Sequence, residues 1–189
     1  MNWLTDFVKP KLNSLVNRKD PPSDLWTKCG CGERMLYVSD LKENLHVCSY
    51  CDQHMYIDFE SRFKQLFGDE KFEIIDIPIE NNDPLKFKDL KKYTDRLKEA
   101  QQKTNQKDAA HLATGQIGGA TVCIFLLDFK FMGGSMGQYV GEAFKIGCQK
   151  AVELNCPFIS IAASGGARMQ EGLVSLMQLP KTVAACNLL

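Results

Sequence analysis

From residue 110 to residue 189 the chain alternates apolar runs with glycine-rich turns, and this alternation constrains the fold more than any other feature. The segment HLATGQIGGATVCIFLLDF predicts two strands joined by a turn, and PFISIAAS predicts another strand. Between them, GQYVGEAFKIGCQKAVELN has the apolar spacing of a helix, and GGARMQEG leads into a further helix. Because strands that alternate with helices pair in parallel through right-handed crossovers, we expect an α/β fold.

The loop FMGGSMG contains the pattern Gly-x-Ser-x-Gly, which marks the nucleophilic serine of many hydrolases. That fold places its histidine after the serine, whereas His46, His54 and His111 all precede Ser135. A serine hydrolase is therefore disfavoured. Glycine-rich loops at helix N-termini also present backbone N–H groups to anions and can stabilise an oxyanion. Two such loops favour this role over the alternative that both are only tight turns.

Arg168 stands in the first turn of the helix predicted after SGGAR, where its charge opposes the helix macrodipole. A cation in that position needs an anionic partner. Two candidates remain open: Glu171, which lies three residues further along the chain, and a carboxylate or phosphate group of a ligand.

The eight cysteines fall into two groups. One group lies within 23 residues, in two close pairs separated by 16 residues: Cys29, Cys31, Cys48 and Cys51. Two such pairs bring four thiolates to one tetrahedral zinc ion and predict a zinc ribbon, whereas a pair of disulfides, the alternative, suits a secreted chain. The other group lies in apolar surroundings, which predicts buried thiols in a reducing compartment: Cys123, Cys148, Cys156 and Cys186.

The remaining sequence completes the predicted organisation. Residues 1–24 form an N-terminal arm and linker, residues 25–56 the zinc ribbon, and residues 57–189 a further domain. Asp58 is a candidate N-cap for a helix that ends at Gly68. The apolar face of that helix comprises Phe59, Phe63, Leu66 and Phe67. FEIIDIPI predicts a strand, and a strongly charged helix follows it.

Composition limits the classes of function. The 23 basic side chains equal the 23 acidic ones, so no global field draws nucleic acid or an anionic membrane to the chain. The sequence contains no apolar stretch of membrane-spanning length, and its first residues lack the features of a signal peptide. We therefore expect a cytoplasmic protein that contacts no membrane, with nucleic acid an unlikely partner.

Several longer segments carry a family resemblance. LWTKC, NLHVCSYCDQHM, DPLKFKDLKKYTDRLKEAQQKT, FMGGSMG, NCPFISIAASGGARMQEG and SLMQLPKT closely resemble, in the same order, the β subunits of bacterial acetyl-CoA carboxylase carboxyltransferases. The resemblance implies a crotonase-like (ClpP/crotonase) spiral α/β core with an N-terminal four-cysteine zinc ribbon. It also implies transfer of carboxylate from carboxybiotin to acetyl-CoA, which gives malonyl-CoA in the first committed step of fatty acid synthesis.

The same resemblance implies ligands and partners. Structural Zn²⁺ would be bound by the four cysteines, biotin would arrive as carboxybiotin on a biotin carboxyl carrier protein, and acetyl-CoA would be the substrate. The expected protein partners are a carboxyltransferase α subunit, in an α2β2 heterotetramer, and biotin carboxylase. Nucleotide binding, including ATP binding, is expected on this ground as well.

Carboxylating the methyl carbon of a thioester requires an enolate, whose oxygen needs fixed N–H donors. By resemblance, the catalytic role falls on the glycines of the two loops: Gly133, Gly134, Gly165 and Gly166. The acyl-CoA would be bound by Ser135, Ala167, Arg168, Lys91, Lys92 and Arg96. The last three belong to a locally basic segment, residues 86–107, for which a solvated helix face is the alternative.

The sequence departs from the family in two places. The first cysteine pair is one residue short, which leaves open whether Cys31 or a flanking histidine, His46 or His54, is a zinc ligand. The chain also stops in the helical segment after SLMQLPKT, where the family continues, so we expect an incomplete core that is inactive alone. Its apolar residues Leu173, Leu176, Met177 and Leu179 would be exposed or contact another chain. The alternative function is a truncated, non-catalytic zinc-ribbon scaffold or nucleic-acid-binding protein.

Overall fold

The computed structural model describes residues 25–32, 34–79, 83 and 85–189. The predicted N-terminal arm and linker, residues 1–24, lies outside the described residues. The chain divides into two compact units, Met1–Ile57 and Asp58–Leu189. The division falls one residue after the boundary expected from the sequence.

The first unit contains a two-stranded antiparallel ribbon and a short helix. Strand β1, Trp26–Lys28, pairs with β2, Met35–Tyr37, and helix α1, Val38–Glu43, follows directly. Its small core consists of Cys29, Leu36, Leu41 and Cys48. Two of these four buried residues are cysteines of the predicted zinc ribbon, so the ribbon has little apolar packing apart from them.

The second unit is built on a four-stranded sheet with the order β3-β4-β5-β6. The strands are β3, Phe72–Ile75; β4, Ala110–Ile117; β5, Ala120–Leu127; and β6, Phe158–Ile161. The first three strands pair antiparallel, and β5 pairs with β6 in parallel. The predicted parallel pairing through a helical crossover is therefore confirmed for β5 and β6.

Helices cover both faces of this sheet. Helix α2, Phe59–Phe67, begins at Asp58, whose side chain accepts a hydrogen bond from the Ser61 N–H at 2.8 Å, as the sequence predicts. On the other face lie α3, Tyr93–Thr104, and α4, Gln138–Glu153. Successive side chains of a strand point to opposite faces, so Ile124 packs with α2 whereas Phe125 packs with α4.

The C-terminal part of the second unit is helical. Two 3₁₀ turns, Met132–Gly134 and Met169–Glu171, follow β5 and β6, and helices α5, Gly172–Leu176, and α6, Gln178–Cys186, end the chain. The four apolar side chains expected at the surface are 51–69% exposed: Leu173, Leu176, Met177 and Leu179. Among the described helices none is both long and apolar enough to cross a bilayer.

The four scattered cysteines differ in burial. Cys123 and Cys148 are buried, as predicted, and Cys156 is partly buried. Cys186 is exposed, which corrects the prediction for that residue. It lies in the last turn of α6, and no further element of the described structure packs over it.

Candidate functional site

The two glycine-rich loops lie side by side. The first glycine loop, residues 131–137, follows β5, and the second glycine loop, residues 164–168, follows β6. Because β5 and β6 are parallel neighbours, their carboxyl ends meet at the same edge of the sheet. In open α/β sheets that edge is where ligands bind.

Backbone hydrogen bonds join the two loops directly. The Gly165 N–H donates to the Gly133 carbonyl oxygen at 2.8 Å. The Met136 N–H donates to the Gly166 carbonyl oxygen at 2.8 Å, and the Met136 carbonyl oxygen accepts from the Arg168 N–H at 3.0 Å. These two bonds form a parallel β-bridge between Met136 and Ala167. The loops therefore form one backbone structure.

The first glycine loop has an unusual backbone conformation. Three residues of this loop, Met132, Gly133 and Gly134, have φ values of 46°, 67° and 63°. These values lie in the left-handed region, which residues other than glycine rarely adopt. A Cβ atom on Gly134 would also collide with the carbonyl oxygen of Ala163. Glycine at position 134 is therefore required by the close approach of the two loops.

Several of the predicted oxyanion donors are already engaged. The Gly134 N–H donates to the Phe131 oxygen at 2.8 Å, and the Gly165 N–H donates to the Gly133 oxygen. The Gly166 N–H donates to the hydroxyl of Ser164 at 3.1 Å, a contact that a ligand could replace. We therefore correct the prediction that Gly134 and Gly165 are donors to an oxyanion, because a backbone carbonyl occupies each N–H.

Arg168 is not available to a ligand anion. Its side chain is fully buried, and its Nη1 and Nη2 donate to the two carboxylate oxygens of Asp108 at 2.6 and 2.7 Å. Glu171, the partner considered from the sequence, lies further away, at 3.4 Å from Nη1. We therefore correct the prediction that Arg168 binds a substrate anion: a protein carboxylate, 60 residues away in the chain, supplies the negative charge.

The surrounding groups complete a buried polar cluster. Glu171 accepts a hydrogen bond from the Tyr93 hydroxyl at 2.6 Å and one from the Gln138 N–H, at the N-terminus of α4, at 2.6 Å. Burial alone lowers the pKa of Arg168, but the hydrogen bonds and charge of Asp108 outweigh burial and raise it. Burial raises the pKa of Tyr93. The guanidinium is therefore charged and the phenol neutral at physiological pH.

Arg168 also connects the two loops. From the second glycine loop, its Nη2 donates to the backbone oxygen of Ser135 at 2.9 Å and its Nε to the Ser135 hydroxyl at 3.1 Å. Ser135 is thus an acceptor for a buried cation. This environment gives the hydroxyl no base that would activate it as a nucleophile.

A cavity of about 560 Å³ opens beside the loops. Its lining includes Gly133, Ser135 and Ala167, together with the cations Arg96, Lys103 and Lys130. Neither Lys91 nor Lys92 is among the described residues that line it, and their contact with an acyl-CoA stays a prediction. Sequence reasoning missed Lys103 and Lys130 as site residues, although Lys103 belongs to the basic segment and Lys130 directly precedes the first loop.

Two cations of the basic segment are paired within it. Lys91 Nζ lies 2.7 Å from Glu99, and both side chains are more than half exposed. Arg96 Nη2 lies 2.6 and 2.7 Å from the two carboxylate oxygens of Asp89, whose pKa these hydrogen bonds lower. Lys91 therefore lies on the solvated surface just before α3, whereas Arg96 also reaches the cavity.

The thiols of the first unit converge. The Sγ atoms of Cys29, Cys31 and Cys51 all lie within 4.8 Å of one another, and those of Cys29 and Cys51 are 3.5 Å apart. Two sulfurs on one tetrahedral zinc ion would be about 3.8 Å apart, given Zn–S bonds of about 2.3 Å. The buried thiol of Cys48 contacts those of Cys29 and Cys51. The arrangement thus fits the donor set of a zinc site.

The backbone of the two cysteine turns supports this arrangement. Hydrogen bonds from the N–H groups of Tyr50 and Cys51 lower the pKa of Cys48, against the opposing effect of burial. Gly30 packs so closely against Gln53 that a Cβ atom would collide with its side chain amide. Cys31 belongs to the converging set despite the shortened turn, and among the described residues neither His46 nor His54 does.

Comparison with known sequences gives a consistent result. The family model of the carboxyl transferase domain matches residues 74–187. The acetyl-coenzyme A carboxylase carboxyl transferase subunit beta of Jannaschia sp. (strain CCS1) is 45% identical to this chain over 190 residues. That alignment covers 100% of this chain and 59% of the relative, so the chain spans less than two thirds of the relative's length.

Two solved structures are similar to the described fold. Transcarboxylase 12S with methylmalonyl-coenzyme A and methylmalonic acid bound has a TM-score of 0.52 and 25% identity, over 67% of this chain and 22% of that chain. A Pseudomonas malonate decarboxylase hetero-tetramer in complex with malonate has a TM-score of 0.52 and 20% identity. That alignment covers 79% of this chain and 51% of the decarboxylase chain. The latter likeness concerns the fold alone. The predicted crotonase-like α/β class is thereby confirmed for the second unit.

Proposed function

The chain belongs to the carboxyl transferase domain family, and on that premise we propose that it acts as the β subunit of an acetyl-CoA carboxylase carboxyltransferase. The reaction would transfer carboxylate from carboxybiotin to acetyl-CoA and give malonyl-CoA. The observation that carries this proposal is the junction of two glycine loops at the edge of parallel strands, beside a cavity whose lining includes Arg96, Lys103 and Lys130.

The chemical demand of this reaction matches the loops. Removing a proton from the methyl group of acetyl-CoA places negative charge on the thioester oxygen, and fixed N–H donors stabilise that charge. We propose Gly133, Gly166 and Ala167 as the donors. In the bridge, Met136 bonds to residues 166 and 168, which turns the Ala167 N–H to the opposite side. Carboxybiotin, when bound, would supply the carboxyl group and, once decarboxylated, the base that accepts the methyl proton.

The cavity suits the charged part of an acyl-CoA. Phosphate groups are bound in proteins by lysine and arginine side chains that share one face of a site. Arg96, Lys103 and Lys130 line the same cavity as Gly133 and Ala167. We propose that the first three contact the phosphates and that the two loops contact the thioester. Lys91 and Lys92, outside the lining, have at most an indirect role.

We propose that the first unit holds one structural zinc ion through Cys29, Cys31, Cys48 and Cys51. The convergence of the Cys29, Cys31 and Cys51 thiols, two of which contact Cys48, supports this assignment. Zinc bound by four thiolates has no open position, so the ion would stabilise the ribbon rather than take part in catalysis. The described structure contains no disulfide between these four cysteines and so does not support the disulfide alternative.

The proposed partners follow from the reaction. A biotin carboxyl carrier protein would deliver carboxybiotin, biotin carboxylase would charge it, and an α subunit would complete an α2β2 heterotetramer in the cytoplasm. The exposed apolar side chains of α5 and α6 support a contact with further protein: Leu173, Leu176, Met177, Leu179 and Val183. ATP binding has no support in the loops and is not proposed for this chain.

The test is formation of malonyl-CoA by the enzyme assembled from this protein, its α subunit and the carboxylated carrier. Lys103→Ala and Lys130→Ala should each raise the KM for acetyl-CoA about 10-fold, the effect of losing one charge-assisted hydrogen bond. The KM for acetyl-pantetheine, which lacks the nucleotide, should stay unchanged. Lys91→Ala is the matched control, an exposed lysine outside the cavity. No carboxyl transfer, together with salt-resistant RNA or DNA binding, would instead support the scaffold alternative.

A further inference from the structure

We infer that Asp108 and Arg168 form a clamp that fixes the separation and orientation of the two glycine loops. Asp108 is then a positioning residue for the reaction, acting through Arg168, and this inference rests on the proposed function. Arg168 belongs to the second loop, and Asp108 lies just before β4, so the clamp joins the site to the middle of the sheet.

The guanidinium of Arg168 uses its full set of donors. It has five N–H groups in a rigid planar fork. Two point to the oxygens of Asp108 at 2.6 and 2.7 Å, and one points to the Tyr93 hydroxyl at 3.2 Å. The last two point to the backbone oxygen and the hydroxyl of Ser135 at 2.9 and 3.1 Å. Because any rotation of the plane lengthens several of these bonds, the group holds one orientation.

Asp108 sets that orientation. Its carboxylate contacts both Nη atoms, and its Oδ1 also accepts from the Ala109 N–H at 2.6 Å, directly before β4 begins. Like Arg168, its side chain is fully buried. With the carboxylate fixed against the sheet, the opposite edge of the guanidinium can only face Ser135. The position of the first loop relative to the second therefore depends on Asp108.

Glu171 has a different task in the same cluster. It accepts from Gln138 at the N-terminus of α4 and from Tyr93, both at 2.6 Å, and lies 3.4 Å from Arg168 Nη1. Asp108, which makes the short contacts with both Nη atoms, is therefore the main counter-charge of Arg168. Removing the Asp108 charge should release the guanidinium from its orientation while Glu171 still offers it an anion.

The consequence for catalysis is geometric. The proposed oxyanion donors lie on different loops, Gly133 on the first and Gly166 and Ala167 on the second. Donors of this kind are effective only when held at about 2.7–3.1 Å from the developing charge. A shift between the loops would therefore lower kcat, whereas the cations proposed to recognise the coenzyme, Arg96, Lys103 and Lys130, lie outside both loops.

The experiment replaces Asp108 in the assembled enzyme. Asp108→Asn should lower kcat at least about 10-fold and change the KM for acetyl-CoA less than about 3-fold. The control is Glu142→Gln, which breaks the partly buried ion pair of Glu142 with Lys181 between α4 and α6, away from both loops. We expect kcat and KM of the control to stay within about 2-fold. A kcat of Asp108→Asn equal to that of the control would overturn the inference.

Amide hydrogen exchange tests the clamp without any assay of activity. The N–H groups of Gly165 and Arg168, which bond to the first loop, should exchange at least about 10-fold faster in Asp108→Asn and unchanged in Glu142→Gln. If the wild-type enzyme transfers no carboxylate, the proposed function fails, but this exchange result still tests the clamp.

Should Asp108→Asn not fold, exchange is measured instead in Ser135→Ala, which removes the hydroxyl that accepts from Arg168 Nε. Faster exchange by about 3-fold supports the clamp, and unaltered exchange overturns it.

Discussion

The two units of this chain stabilise their backbones by different means. In the first unit the buried residues are Cys29, Leu36, Leu41 and Cys48, two of them thiols of the candidate zinc site. The second unit has two apolar clusters on opposite faces of a sheet and a buried ionic cluster beside them. A domain with so small a core needs a metal or disulfides, whereas a layered α/β unit can keep buried charges within its packing.

The comparison also separates the two uses of polar groups. In the first unit the converging thiols are the structural element, and large side chains such as Trp26 and Tyr50 remain 48% and 64% exposed. In the second unit Arg168 is among the largest fully buried side chains. We therefore expect stability to depend on the proposed zinc ion in one unit and on apolar packing around an internal charge pair in the other.

The largest expected effect is on the first unit. Removal of zinc with a chelator, or Cys48→Ser, should unfold residues 25–57, because the remaining apolar core is too small to hold the ribbon. Nuclear magnetic resonance of the protein should show the loss of dispersed signals for these residues, while signals of β4 and β5 persist. Metal analysis of protein purified without chelator should give one zinc per chain.

Cys186→Ser is the control for this experiment, since that thiol is exposed and lies outside the cluster. It should keep the zinc and the signals of the ribbon. Protein that contains no zinc and yet gives dispersed signals for residues 25–57 would contradict the contrast between the two units.

Sequence reasoning succeeded where the determining contacts are local. The helix capped by Asp58, the turn between β4 and β5 and the two glycine loops follow from neighbouring residues, and the structure confirms these elements. The parallel pairing of β5 with β6 follows from the helix between them. Local pattern and tertiary packing agree at these positions, as expected for a well-folded sequence.

It failed where the partner is remote in the chain. Glu171, the candidate three residues from Arg168, does pair with it at 3.4 Å, but Asp108, which the sequence did not indicate, makes the shorter contacts with both Nη atoms. Spacing along a helix cannot reveal a contact made from the start of a strand. The same limit applies to the donors: whether the Gly134 or Gly165 N–H is occupied depends on carbonyl positions that only the folded loops define.

The next largest effect is expected in the second unit. Arg168→Ala leaves the buried carboxylate of Asp108 without its cation, and breaking such a pair costs about 3–5 kcal/mol of folding free energy. Urea unfolding of the second unit should show this loss as a lower midpoint. The double variant Arg168→Met with Asp108→Leu should recover much of it, because apolar replacement of both partners removes the uncompensated charge. Full stability of Arg168→Ala would show that the cluster is hydrated.

A smaller effect should depend on pH. His111 on β4 stacks on Phe59 at 3.7 Å between ring centroids, and burial lowers its pKa from 6.5 to about 4, against the opposing charges of Asp128 and Asp108. Below pH 6.5, His111 is protonated in the unfolded chain, whereas in the folded chain it stays neutral until about pH 4. Stability should therefore fall by up to about 3 kcal/mol as the pH drops through this window.

Urea midpoints measured from pH 7 to pH 4 test this dependence. His111→Phe keeps an aromatic ring against Phe59 but cannot titrate, so its midpoint should change less across the same range. An equal slope for both proteins would assign the pH dependence to other groups.

The smallest effect should come from the exposed face of α3. Lys91 and Glu99 lie 2.7 Å apart, but their side chains are 54% and 57% exposed, so water and salt screen their attraction. Lys91→Ala should leave the unfolding midpoint of the second unit within experimental error, in contrast to Arg168→Ala in the buried cluster of the same unit. Because Lys91 does not line the cavity, the KM for acetyl-CoA should also stay unchanged. A clear rise in KM with unchanged stability would mean that the acyl-CoA extends along α3 beyond the described cavity, and the basic segment would then bind substrate as a whole.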